Sequence, residues 1–269
     1  MNKFYLSEIY IYPVKSLGGI SLKESDITAR GLKHDRRWLL VDEERRFITQ
    51  RTYPQMALIS VELREQSIEF KHKKKGTSLN VNLENTSKAR SEVVIWNDKV
   101  TANNVSEDAD EWFSEMLNVK CRLVFMPDDF NRYVDRKYAN ENEIVSFADA
   151  YPFLITGQAS LDDLNSRLEV KLPMNRFRPN LVFTGGDPFD EDLIKSFMIS
   201  SITFRPVKPC ARCVVTTINQ ESALTNEEPL KTLATFRTIN NKIMFGQNLL
   251  HNGNGTIKVG DELKIIEWK

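Results

Sequence analysis

The stretch VKPCARCVVTTINQ, Val207 to Gln220, holds two of the chain's three cysteines, Cys210 and Cys213, and its reading decides the rest. A thioredoxin-type pair needs its first cysteine at a helix N-terminus, where the dipole lowers the thiol pKa. Here Val214-Val215-Thr216-Thr217 follow the pair and predict a strand, which weakens the redox-disulfide reading. A structural zinc site needs a full tetrahedral ligand set, and only Cys121, His34, His72 and His251 remain, scattered and unpaired. On the residues alone two readings stay open: two small side chains in a loop, or a thiolate ligand. Pro206 and Pro209 stiffen the approach. Lys208 and Arg212 surround the thiols with positive charge, which favours thiolate. A soft thiolate beside fixed cations suits a soft metal carried by an anionic cofactor.

The whole chain narrows the context. It has 269 residues, enough for one large domain or two modest ones. Lys+Arg and Asp+Glu both total 37, so there is no general reason to expect a nucleic-acid partner. The N-terminal MNKFYLSEIYIYPVKS alternates polar and apolar residues instead of showing the apolar run of a signal peptide. No apolar run approaches the roughly 20 residues that span a bilayer. With three unevenly placed cysteines, a secreted disulfide framework is not expected either. The expectation is a soluble protein of a reducing compartment, the cytoplasm, with no membrane partner.

Strand signals dominate the rest. Tyr5–Leu22 reads as a strand, a turn at Lys15–Gly19 and a second strand; Arg36–Thr49 reads as a hairpin around Asp42–Arg45. Met56–Leu83 gives three short alternating segments with the basic run Lys71–Lys75 at a turn, and Ser91–Val105 is a strand pair around Asn97-Asp98. The first convincing helix follows Ser106, a plausible N-cap, with acidic residues in its first turn and Trp112, Phe113 and Met116 on one face. Cys121 then reads as a buried small hydrophobe on a strand.

Beyond the polar loop Asp128–Glu143, a strand leads to Ser160, a predicted cap for the helix LDDLNSRLEV. Gly185-Gly186 ends the next strand. Phe197–Asn219 reads as a strand, a Pro-bracketed loop and a β-branched strand, and the C-terminal GTIKVGDELKIIEW as a Gly-Asp hairpin. The fold class predicted is mainly β (α+β): two β-barrel-like domains with a few covering helices. The composition shift near Asn118–Glu143 sets the boundary, giving domains at residues 1–120 and 121–269.

The motifs KPCARCVVTT, EPLKTLATFR, FGQNLL and GTIKVGDEL together resemble the MOSC domain. IYPVKSLGGI, HDRRWLLVD and RTYPQMALI are similar to the β-barrel domain that precedes MOSC in many proteins, so the resemblance covers nearly the whole chain. It extends to the amidoxime-reducing component family of molybdenum enzymes. It implies a molybdenum cofactor (molybdenum held by molybdopterin) with Cys213 as the metal's protein ligand and Cys210 as a neighbour only. The resemblance assigns cofactor binding to Lys15 and Ser16 of PVKS, Arg36 of HDRRW, Arg178 and Asn180 of FRPN, and Ala211 and Arg212 of ARC. Cys213 and Asp149 take the catalytic roles. The chain departs from the family in two places: Ala211 stands where relatives often have Ser, and Ala150-Tyr151 where they can carry small hydroxyl residues. Tyr151 is therefore expected to reshape the substrate pocket.

What the resemblance implies for function is an oxidoreductase that reduces small N-hydroxylated molecules. The cysteine count cannot supply an iron–sulfur cluster, so electrons are expected from a separate electron-transfer protein. The alternative is a cofactor carrier without turnover. Pyridoxal phosphate attaches to the family only through its sulfurase members, whose desulfurase domain is not expected here.

Overall fold

The computed structural model describes residues 3–84, 89–139 and 142–269; residues 140 and 141 of the predicted polar loop lie outside the described residues. The fold is mainly β, a closed seven-stranded barrel beside a half-barrel. Among the described residues there are four short α-helices. Around the barrel the strands run Phe153–Gly157, Leu181–Thr184, Phe4–Ile11, Glu262–Trp268, Ile194–Ile199, Ile202–Ala211 and Lys242–Asn252. The last returns to the first through Phe153↔Leu249 and Ile155↔Gln247 and closes the ring. Strand Phe4–Ile11 opens the sequence yet is a stave of this barrel, paired with Leu181–Thr184 on one edge and Glu262–Trp268 on the other.

Alternation along the staves fills the interior with Leu6, Ile9, Phe153, Phe183, Phe197, Phe204 and Leu263. Phe197 and Phe204 stack at 5.3 Å, and Phe153 meets Phe204 edge-on at 5.4 Å. Beside the barrel lie two separate sheets, strands Trp38–Val41, Arg122–Phe125, Asp98–Asn104 and Arg90–Ile95 in one and the meander Ile59–Leu63, Ser67–His72 and Ser78–Asn82 in the other, which share one hydrophobic core. Helix Glu107–Leu117 covers that core. Ser106 Oγ accepts from Ala109 N at 3.2 Å, and Glu107, Asp108 and Asp110 complement the first-turn dipole. Phe113 packs on Phe70 at 4.9 Å, and the helix stops at Asn118 with φ 51°. Cys121 is 4% exposed beside this helix, a small core side chain as its sequence context predicts.

Four local expectations are corrected. Pro206 and Pro209 do not bracket a loop; they sit at register shifts within one continuous strand, Ile202–Ala211, where a missing N–H costs no ladder bond. Val214–Thr217 form a 3-10 turn, because the Thr216 and Thr217 hydroxyls donate back to Cys213 O (3.0 Å) and Val214 O (2.8 Å). Gly260-Asp261 does not join a hairpin: Gly255–Lys258 pairs with Glu24–Thr28, while Glu262–Trp268 enters the barrel. Ser160 lies inside helix Gln158–Ser166, after Gly157 at the cap.

Ser160 Oγ instead donates to Glu191 Oε2 at 2.7 Å, and Gly157 N donates to Glu191 Oε1 at 3.2 Å. Glu191 is 1% exposed, and burial pushes its carboxyl up against the pull of those bonds. Its folded pKa therefore lies above the unfolded value of about 4.3. Between the two, the native state keeps a proton that the unfolded chain has released, so stability falls as pH rises through that window. Glu191→Gln should gain stability relative to the parent as pH rises from about 4 to 8. Urea unfolding at several pH values measures this; a pH-independent difference would contradict it.

Candidate functional site

Three turns carry the cationic side of the site. The first barrel strand runs through Tyr12-Pro13-Val14 into a loop held by Lys15 N to Trp38 O at 3.0 Å and Gly18 N to Ile59 O at 3.0 Å. That loop presents Lys15 and Ser16, the latter at φ 69°. Arg36 (φ 47°) and Arg178 (φ 54°) present their guanidinium groups from the other two turns. Three non-glycine residues in this left-handed region are held there by surrounding structure, a form of strain that gathers at functional sites.

All nine residues named from sequence, Lys15, Ser16, Arg36, Asp149, Arg178, Asn180, Ala211, Arg212 and Cys213, line one cavity of about 690 Å³. Lys208, Lys242 and Arg51 line it too, and Asp149 is the only carboxylate among its described lining residues. A chain of zero net charge has thus concentrated cations at one place.

The arginines differ in how far they are already committed. Arg36 Nη1 donates to both Asp35 oxygens, at 2.9 and 2.7 Å, and to Asn180 Oδ1 at 3.0 Å. Asp35 is 1% exposed; burial pushes its carboxyl up, and Arg36 with the Tyr12 N–H at 2.8 Å opposes that shift. Asn180 also accepts from Leu154 N (3.2 Å) and donates to Tyr10 O (3.1 Å), so its amide orients Arg36 and the barrel wall. The Arg178 guanidinium has no hydrogen-bond acceptor among the described residues, and only the backbone N–H donates, to Asn175 O. The guanidinium rests on the Tyr12 ring at 4.2 Å, beside that of Arg36 at 4.3 Å. Burial brings Arg178 down to about 10 and pushes the Tyr12 phenol up to about 12.

Around the cysteines, Arg212 Nη1 donates to Cys210 Sγ at 2.9 Å and Nη2 to Phe177 O at 2.6 Å, while its Nε is buried without a partner among the described residues. Burial pushes the Cys210 thiol up, with Arg212 opposing. Cys213 stands half-buried at the end of the barrel strand, before the 3-10 turn.

Opposite them Asp149 accepts from Lys15 Nζ at 2.5 Å and from the Trp96 indole N–H at 3.2 Å. Burial alone would raise this carboxyl, but the charge and hydrogen bond of Lys15, with Arg51 and Trp96, hold it well below the usual carboxylate range. Lys15 is itself lowered, chiefly by burial, with Asp149 opposing. Because the Asp149 side chain is 63% exposed towards the cavity, solvent screens this pair. Tyr151 is 8% exposed and meets the Tyr138 ring edge-on at 6.0 Å, and both shape the wall beside Asp149.

Sequence reasoning did not find Tyr12, Asp35 as a buried partner, Trp96 or Arg51. Tyr12, Asp35 and Arg51 each lay within a quoted motif, IYPVKSLGGI, HDRRWLLVD and RTYPQMALI, whereas Trp96 carried no signal.

A half-buried thiol facing clustered cations, with a buried arginine nitrogen and a whole guanidinium lacking acceptors, defines a β-barrel protein built to hold an anionic, metal-bearing cofactor. The MOSC N-terminal beta barrel domain matches residues 3–120, and the MOSC domain matches residues 142–264. Mitochondrial amidoxime-reducing component 1 of Mus musculus is 30% identical over 282 residues, covering 97% of this chain and 82% of that protein. Mitochondrial amidoxime reducing component 2 of Homo sapiens is 31% identical over 86% of this chain and 72% of its own. Molybdenum cofactor sulfurase of Oryza sativa subsp. japonica is 31% identical over 96% of this chain, which spans 34% of that longer protein. The chain belongs to the MOSC family that includes the amidoxime-reducing components. Domain and relatives point to a molybdenum cofactor, and the donor set described above fits one. No helix among the described residues is long and apolar enough to cross a membrane.

The commitments of the two arginines separate their substitutions. Arg178→Ala removes a cation with no hydrogen bond to lose, so pterin content should fall while the unfolding midpoint moves little. Arg36→Ala leaves the Asp35 carboxylate buried without its cation, a loss of about 3–5 kcal/mol, and adding Asp35→Asn should recover part of it. Pterin release and thermal unfolding read both; full pterin content in Arg178→Ala would remove it from the cofactor site.

Proposed function

We propose that this protein is a molybdenum-cofactor-dependent reductase of small N-hydroxylated molecules, supplied with electrons by a separate redox protein. The observation that carries this reading is the convergence of the Cys213 thiol, four motif cations and Asp149 on one cavity. Cys213 would ligate the metal. Arg178, Arg212, Arg36 and Lys15 would meet the phosphate and polar pterin edges, with Ser16 and the Ala211 backbone beside them and Asn180 acting through Arg36. When bound, the cofactor supplies a two-electron redox centre capable of oxygen-atom removal.

The chain's own residues do the rest. Asp149, held ionised, neither donates a proton nor readily takes one up, but it accepts hydrogen bonds, which fits it to orient the N–H of an amidoxime or hydroxylamine. The Tyr138 and Tyr151 rings narrow the wall against which the substrate's carbon frame would lie. In the reaction the N–O bond breaks, two electrons arrive from the external donor, two protons are taken up, and the oxygen leaves as water. We place the protein in a reducing compartment, the cytoplasm, because three unevenly spaced cysteines offer no disulfide framework.

Protein from a cofactor-competent host should carry equimolar molybdenum and pterin, and with reduced viologen should reduce benzamidoxime, whereas NAD(P)H alone should not suffice. Cys213→Ser should abolish turnover. Cys210→Ser should keep most of it, since a serine oxygen still accepts from Arg212. Equal loss from both would reverse the assignment of the pair. A loaded protein that reduces no N-hydroxylated compound, yet passes its cofactor to an apo-enzyme, would be a carrier.

A further inference from the structure

Between strands Ile144–Val145 and Phe153–Gly157 the chain runs through bends with no ladder of its own, and its buried carbonyls need donors from elsewhere. Arg132 supplies most of them. Its Nη1 donates to Ser146 O at 3.0 Å and Ala148 O at 2.6 Å, and its Nη2 to Asp149 O at 3.1 Å. Lys15 Nζ takes the remaining one, Phe147 O, at 3.0 Å. Every carbonyl from Ser146 to Asp149 thus ends on a cation.

The same guanidinium reaches the half-barrel. Arg132 Nε donates to Asp98 Oδ2 at 2.7 Å. Asp98 closes the Trp96-Asn97 turn through its pairing with Ile95, and Trp96 is held at φ 55° with Phe47 edge-on at 4.9 Å. From there the Trp96 indole donates to the Asp149 carboxylate, while the Arg51 guanidinium lies over its ring at 4.5 Å. The contacts form a closed circuit from the Asp149 backbone through Arg132, Asp98 and Trp96 to the Asp149 side chain. Arg132 is 6% exposed and fixed by its own pairing with Val145.

We infer that Arg132 is a positioning residue of the site: its planar fork fixes residues 146–149 and the Trp96 turn together, so that the Asp149 carboxylate is presented to the cavity. A lysine cannot replace it, because one ammonium lacks the fork that spans three carbonyls and a carboxylate. Only the kinetic arm of the test rests on the proposed reductase function.

Hydrogen exchange by mass spectrometry on the cofactor-free chain compares the parent with Arg132→Lys and Asp98→Ala. Amides of the segment 146–152, Pro152 aside, should exchange about tenfold faster in both variants, with barrel peptides unchanged. In the loaded protein kcat should fall on the order of a hundredfold in Arg132→Lys, at unchanged pterin content. Asp98 is 49% exposed and contributes one anchor, so Asp98→Ala should fold and alone decides if Arg132→Lys does not. Unchanged exchange at 146–152, or equal acceleration throughout the chain, would overturn the inference. If the parent reduces no N-hydroxylated compound, the reductase reading fails, while the exchange arm still decides the role of Arg132.

Discussion

Asp35, buried at the base of the cavity's cationic wall, joins segments that are far apart in sequence. Its carboxylate accepts the Tyr12 N–H at the end of the first strand and holds Arg36, which passes the link to Asn180 ahead of strand Leu181–Thr184. Asn180 then bonds Leu154 in the strand that closes the barrel, and Tyr10 in the strand that opens the chain. A carboxylate taken out of water demands such partners, since leaving it unpaired costs several kcal/mol. Barrel closure and cavity electrostatics are therefore set by the same bonds. The cation that neutralises Asp35 also lines the cavity, and the amide that orients it is part of the barrel wall.

That arrangement explains how a chain with no net charge keeps a positive cavity. Carboxylates that would neutralise it are either spent behind the wall, as Asp35 is, or confined to one facing group, Asp149. Arg178 is left with an aromatic face in place of an acceptor, which holds it without quenching its charge. Behind Ser16 and the segment after Cys213, Gln50 and Gln220 exchange amide bonds at 3.0 and 3.2 Å, and Gln50 also donates to Ser16 O at 2.7 Å. Both amides are buried and satisfied, so this contact fixes the spacing of the two loops without adding charge to the cavity.

Much of the site was legible because its residues travel in short contiguous motifs. PVKS, HDRRW, FRPN and KPCARC each place a cation within a few residues of a turn-forming neighbour, and the cavity gathers all four. Arg132 was not legible: in NRYVDRKYA it is one charge among several, and its partners are backbone carbonyls that leave no trace in side-chain type. Trp96 read only as a hairpin residue, because its indole bond to Asp149 joins the two halves. Two of the four misread local elements show how local propensity is overridden. Val214–Thr217 and the Gly260-Asp261 turn obey strand and hairpin propensities in isolation, but hydroxyl back-bonds and pairing with distant strands override them.

The first strand shows why sequence halves and spatial units do not coincide here. Residues 4–11 lie within the segment matched by the N-terminal barrel family, yet they fill the gap between Leu181–Thr184 and Glu262–Trp268. Without them the barrel would have two open edges and lose the contacts of Phe4, Leu6, Ile9 and Ile11. The chain leaves this strand directly into Tyr12, Lys15 and Ser16, so the stave that completes the barrel also delivers the first cations of the cavity. A site assembled in this way has no counterpart in either half alone: the thiols come from one segment, and the Lys15, Arg36 and Arg51 side of the cavity from the other.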